Sequence, residues 1–98
     1  MDTALSAQIA RREAVIARIK QILIQNHYVT AAPDALDVDA SLFGSGLSLD
    51  SADALDLAVA TEAAFGVTLP KARLGTGLQT INSLADLVLE RKDQEERA

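Results

Sequence analysis

The sequence predicts an all-α fold: a small bundle of four helices, three main ones and one short and weak, with a long first loop. Three observations lead there. Apolar residues recur at three- and four-residue steps in three separate segments. Alternating strand patterns are weak throughout, and helical segments joined by short and long loops pack as a bundle. The length, 98 residues, suits one domain and is too short for two. We therefore expect a single domain over 1–98, with its core at about 5–91 and a frayed tail at 92–98.

The first helix is expected from about Leu5 to Asn26. Leu5, Ile9, Ile16, Ile19 and Leu23 form its stripe, broadened by Val15 and Ile22. Arg12 interrupts the stripe, so its stem should lie over the core edge while its charge reaches water. The helix should fail near His27-Tyr28-Val29-Thr30, and Pro33 closes the boundary. From Pro33 to Leu49 the chain carries Asp34, Asp37, Asp39, Ser41, Gly44, Ser45 and Gly46, which are loop residues. Leu36, Val38, Leu42, Phe43, Leu47 and Leu49 are spaced along it and should pin the loop across the bundle. Loops of this length in small domains tend to be functional.

A second helix should start at Asp50 or Ser51 and run to about Ala64. Asp50 caps it, and Asp53 adds negative charge to its first turn. Leu55, Ala58 or Val59, and Glu62 follow at helical steps, with Phe65 beyond. Gly66 sits where a left-handed cap is expected, and Pro70 blocks continuation. Only a weak element is expected over Lys71 to Leu78, because Gly75 and Gly77 disfavour a firm helix. The last helix begins after Thr80, with Ile81, Leu84, Leu87 and Val88 on its apolar face. From Arg91 onward the chain is polar to its final alanine and should fray.

Charge narrows the function classes. Residues 29–70 hold Asp34, Asp37, Asp39, Asp50, Asp53, Asp56 and Glu62 and no Lys or Arg, within a chain of net charge −5. Such a stretch repels nucleic acid and anionic lipid and attracts basic protein surfaces. There is no cysteine, so disulfides and thiolate metal sites are excluded. No apolar run approaches the ~18 residues of a membrane span. The start lacks a signal-peptide layout, so a cytoplasmic setting without membrane insertion is expected.

The informative stretch is Leu47-Ser48-Leu49-Asp50-Ser51-Ala52-Asp53, followed by Leu55-Asp56-Leu57-Ala58-Val59-Ala60-Thr61-Glu62 and Phe65-Gly66-Val67-Thr68-Leu69-Pro70. A serine in the first turn of a helix lies beside unpaired backbone N–H groups. An anionic group there would sit at the positive end of the helix dipole. Asp53, Asp56 and Glu62 fall near one side of this helix.

The Asp-Ser pair at a helix start, the acids on the next turns, and the Phe-Gly followed by an apolar residue and Pro resemble the acyl carrier protein family. Thr80-Ile81-Asn82-Ser83-Leu84-Ala85-Asp86-Leu87-Val88 resembles that family's last helix, so the resemblance covers most of 36–90. It implies that Ser51 receives 4′-phosphopantetheine from coenzyme A, and that Asp50 helps present the serine to the transferase and its metal ion. It implies a non-enzymatic, monomeric carrier of acyl groups held as thioesters, for fatty-acid or specialised lipid, polyene or polyketide biosynthesis. A fatty cargo would fold back between the helices. The implied partners are the phosphopantetheinyl transferase and basic-surfaced synthases, reductases and acyltransferases, recognised through Asp53, Asp56, Val59 and Glu62. Three departures stand out. Ser48 replaces a usual glycine, Ala63 replaces a frequent acid, and Ala52 replaces the bulky residue against which many of the family's partners pack. Ala52 and the longer chain before Ser51 lean toward a dedicated, specialised pathway.

Rival readings find less in the residues. The only triad that can be written is Ser51–His27–Asp, and no G-x-S-x-G elbow surrounds Ser51. Asp34, Asp37 and Asp39 lack the glycine and terminal glutamate of an EF-hand loop, so no metal site is expected. A peptidyl carrier would carry a different tetrad before its attachment serine than Ser48-Leu49-Asp50-Ser51. The alternative function is an unmodified acidic helical module that binds a partner protein.

Overall fold

In a computed structural model of the chain, the described residues are 3–26, 32–42 and 51–97. They form four α-helices: α1 (Thr3–Gln25), α2 (Ser51–Phe65), α3 (Lys71–Gly77) and α4 (Ile81–Arg97). A single 3-10 turn, Pro33–Ala35, interrupts the first loop, and no strand occurs among the described residues. The expected all-α bundle is therefore the fold. His27, Phe43, Leu47, Leu49 and Asp50 lie outside the described residues.

One aliphatic core holds the helices together. Val15, Ile19, Ile22 and Leu23 of α1 meet Leu57 and Ala58 of α2 and Ile81, Leu84, Ala85, Leu87 and Val88 of α4. Removing such side chains from water is the main stabilising term, worth ~1.5–3 kcal/mol for each large one. The α1 stripe is displaced from the one expected. Leu5 and Ile9 are each 51% exposed, and Ile16 is only partly buried. Over these first turns α1 faces α4 with polar residues instead. The Arg11 guanidinium meets Asp93 Oδ1 at 2.9 Å, and Arg12 pairs with Asp86. Arg12 Nη2 also donates to the Asn82 side-chain oxygen at 3.0 Å. Arg12 is half-buried, and its charge is tied to α4.

The loop is pinned as expected over its described part. Leu36 and Leu42 are buried, and Val38 packs against the core. Backbone bonds fasten it to the start of α4, from Leu42 N to Gln79 O at 2.8 Å and from Asn82 N to Val38 O at 3.0 Å. The Asp39 carboxylate accepts from Asn82 Nδ2 at 2.6 Å, and Asp37 Oδ1 accepts the Asp39 N–H at 2.9 Å. These two acids hold the loop's shape, a local use of Asp side chains typical of turns.

In the second half one expectation holds and one is corrected. The short element expected over Lys71 to Leu78 is a helix over residues 71–77, formed despite Gly75 and Gly77. A Cβ on Gly77 would stand 2.6 Å from Leu87 Cδ2, so the missing side chain lets α3 approach α4 closely. The tail does not fray at Arg91, because α4 continues to Arg97. Arg91 Nε donates to Thr68 O at 2.8 Å, and the Arg11–Asp93 pair clasps the same stretch. Thr80 and Ser83 start α4 with a reciprocal cap. Ser83 N–H donates to Thr80 Oγ1 at 3.0 Å, and Thr80 N–H donates to Ser83 Oγ at 2.9 Å.

Candidate carrier site

Ser51 is the first residue of α2, a helix of 15 residues. The first N–H groups of any α-helix have no partner within it, and the dipole gives that end partial positive charge. Ala52, beside it, is exposed and small. A hydroxyl-bearing residue at this position suits a phosphodiester-linked group. The other described serines between 17 and 88 are placed differently. Ser83 Oγ is engaged in the α4 cap and donates to Gly77 O at 2.9 Å, and Ser41 lies in the pinned loop.

The face that α2 turns inward differs from the expected one. Leu57, Ala58 and Thr61 are buried, with Ala54, Ala64 and Phe65 partly buried around them. Thr61 is tolerated there because its hydroxyl donates to Leu57 O at 2.7 Å. Leu55 and Val59 point outward, 62% and 57% exposed. Apolar residues occupy nearly every position from Leu55 to Ala60, so periodicity could not choose between the faces.

The expected recognition residues also divide. Asp56 and Val59 are exposed. Asp53 is half-buried and makes a contact of its own. Glu62 is half-buried, and its Oε2 accepts the Leu69 N–H at 2.8 Å. Its backbone oxygen accepts from Gly66 N at 2.8 Å, where φ is +66°. Glu62 thus folds the turn after α2 back onto the helix end. One oxygen of its carboxylate is part of a cap. Leu55 is exposed as well and lies four residues from both Ser51 and Val59 along the helix.

The phosphopantetheine attachment site family matches residues 17–88 of the chain. The protein belongs to that family. Its cofactor is covalently attached 4′-phosphopantetheine. Membership brings interaction with a phosphopantetheinyl transferase and with enzymes that process the carried group, and carrier domains of this family are typically non-catalytic. No curated protein matches the chain. No described helix is long and apolar enough to cross a membrane, and no cluster of described His, Asp or Glu residues could hold a metal ion.

Proposed function

We propose that this protein is an acyl carrier whose 4′-phosphopantetheine is attached at Ser51, with Asp50 presenting the serine to the transferase. The observation that carries the reading is the position of Ser51 at the head of α2, inside the family match. In the attachment step the serine oxygen forms a bond to the phosphorus next to pantetheine in coenzyme A. The diphosphate bond breaks, adenosine 3′,5′-bisphosphate leaves, and the serine proton passes to a base of the transferase. When bound, the arm supplies a terminal thiol that holds an acyl group as a thioester. The chain's own part is to fix the attachment point on a rigid helix, to offer a docking face around Asp56 and Val59, and to supply a core.

The whole chain acts as a single, monomeric, non-catalytic carrier domain in the cytoplasm. Its partners are the transferase and acyl-processing synthases, reductases and acyltransferases of fatty-acid or specialised lipid, polyene or polyketide biosynthesis. The buried core supports an acyl cargo. It is aliphatic apart from Thr61 among the described residues, and such side chains part and refill more readily than interlocked aromatic rings. The test is a melting series on the modified protein loaded with C4, C6, C8 and longer acyl chains. Stability should rise with each buried methylene by up to about 0.8 kcal/mol, less the cost of opening space, and then level off. A flat series would place the cargo in solvent. A natural chain that takes up no phosphopantetheine from coenzyme A would reject the carrier role in favour of an unmodified binding module.

A further inference from the structure

The core contains one polar side chain among the described residues, Thr61 of α2, which is fully buried. Its hydroxyl donates its single proton to Leu57 O at 2.7 Å. A hydroxyl oxygen also accepts, and no described N–H or O–H donates to this one. Valine has the same shape without the oxygen, and burying a hydroxyl costs stability that burying valine does not. The acceptor side of Thr61 Oγ1 therefore has no partner within the described fold. Ala58 and Ala54 lie one and two turns before Thr61 on the same face, and Ala64 lies a turn beyond; all three are buried or half-buried. Each reaches a single carbon from the helix. Among the described residues α2 packs mainly against α1, and its approach to α3 and α4 is slight, whereas α4 packs on both α1 and α3. Around Thr61 the inner face of α2 is thus lined by short side chains, with an acceptor oxygen among them.

We propose that Thr61 sets the class of cargo: an acyl chain that bears a hydroxyl group along its length, whose O–H donates to Thr61 Oγ1. The proposal rests on the carrier reading and on a cargo that lies in the core. Ser51 and Thr61 are both on α2, about 15 Å apart along its axis. A chain that enters along the inner face from the head of α2 passes Ala54 and Ala58 and then meets Thr61. Its methylenes meet alanine and leucine side chains there, and the one polar group it reaches is an acceptor. A ketone has no proton to give, and the Thr61 proton is already on Leu57 O. A hydroxyl is matched at this point, whereas a keto oxygen would be buried without a donor. The site therefore separates a hydroxyacyl chain from the ketoacyl chain of the same length.

The test compares the melting of the natural protein, Thr61→Val and Thr61→Ser, each loaded from the acyl-coenzyme A by a broad-specificity transferase. The cargoes are octanoyl, its 3-, 5- and 7-hydroxy derivatives and the matching oxo derivatives. On the natural protein the best-placed hydroxyl should cost no Tm relative to octanoyl. On Thr61→Val the same hydroxyl should lower Tm by about 4–8 °C, the effect of losing one hydrogen bond in a domain of this size. Thr61→Ser keeps the oxygen and should behave as the natural protein does. The oxo forms should melt below octanoyl on all three proteins. Unloaded Thr61→Val should melt at or above the unloaded natural protein; a marked fall would assign the hydroxyl to the helix itself and overturn the inference. An equal hydroxyl effect on the natural protein and Thr61→Val at every position would overturn it as well, and so would an oxo chain as stable as the hydroxy one. These three results leave the carrier reading intact. Octanoyl protein that melts no higher than protein with the bare arm would place the cargo outside the core and overturn the inference, with attachment at Ser51 untouched. A natural chain that takes up no phosphopantetheine would overturn both.

Discussion

α4 and α2 use their side chains in opposite ways. The charged groups of α4 reach inward to neighbouring elements: Asp86 and Asp93 to α1, Arg91 to the turn at Thr68, and Glu90 to α3. Glu90 Oε2 is buried and meets Arg73 Nη1 at 2.7 Å as an ion contact without hydrogen-bond alignment. On α2 the outward surface is instead mainly apolar, and its half-buried acid at Glu62 closes the helix end. The helix that looks polar in sequence is tied down, and the helix that lies in the acidic segment shows its apolar ridge. Charge counted along a segment thus says little about which charges are available to a partner. Asp37, Asp39 and Glu62, three of the acids between 29 and 70, make hydrogen bonds within the fold.

A graded set of substitutions breaks or sharpens this contrast. Leu84 is fully buried in the first turn of α4, and Leu84→Ala should cost ~2–5 kcal/mol in denaturant unfolding. A smaller loss would mean that α4 is less central than its packing indicates. Glu62→Ala leaves the Leu69 N–H without its acceptor and should cost ~1–3 kcal/mol. Unchanged stability with slower phosphopantetheine transfer would give Glu62 a docking role and not a capping one. Arg11→Ala removes an ion pair whose members are 40% and 52% exposed, and solvent screening limits the loss to ~0.2–1 kcal/mol. Leu55→Ser should change stability by no more than ~0.5 kcal/mol, because the side chain is already in water. A large effect at Leu55 and a small one at Leu84 would invert the account.

Much of this was legible in the sequence. The starts of α2 and α4, the left-handed Gly66 and the pinning of the loop by Leu36 and Leu42 follow from caps, turn chemistry and apolar spacing. The rest depended on tertiary partners that spacing does not reveal. Leu5 and Ile9 fit the apolar stripe of α1 but lie exposed, while that part of α1 meets α4 through Arg11 and Arg12. The end of α4 reads as a polar tail, and Arg11 and Thr68 hold it in place. The α3 glycines read as helix breakers, but Gly77 is what allows contact with Leu87. On α2 a nearly continuous apolar run hid which face turns inward. The proposed attachment serine is legible because its signal lies in the order of residues: a helix start, an adjoining aspartate, and a Phe-Gly and Pro in register.

The measurement that bears most directly on the central claim is the intact mass of the chain after incubation with coenzyme A and a broad-specificity phosphopantetheinyl transferase. The natural protein should gain the mass of one phosphopantetheine, and Ser51→Ala, folded to the same helical content, should gain none. Modification of the alanine variant to the same extent as the natural chain would contradict the assignment of Ser51 as the attachment site.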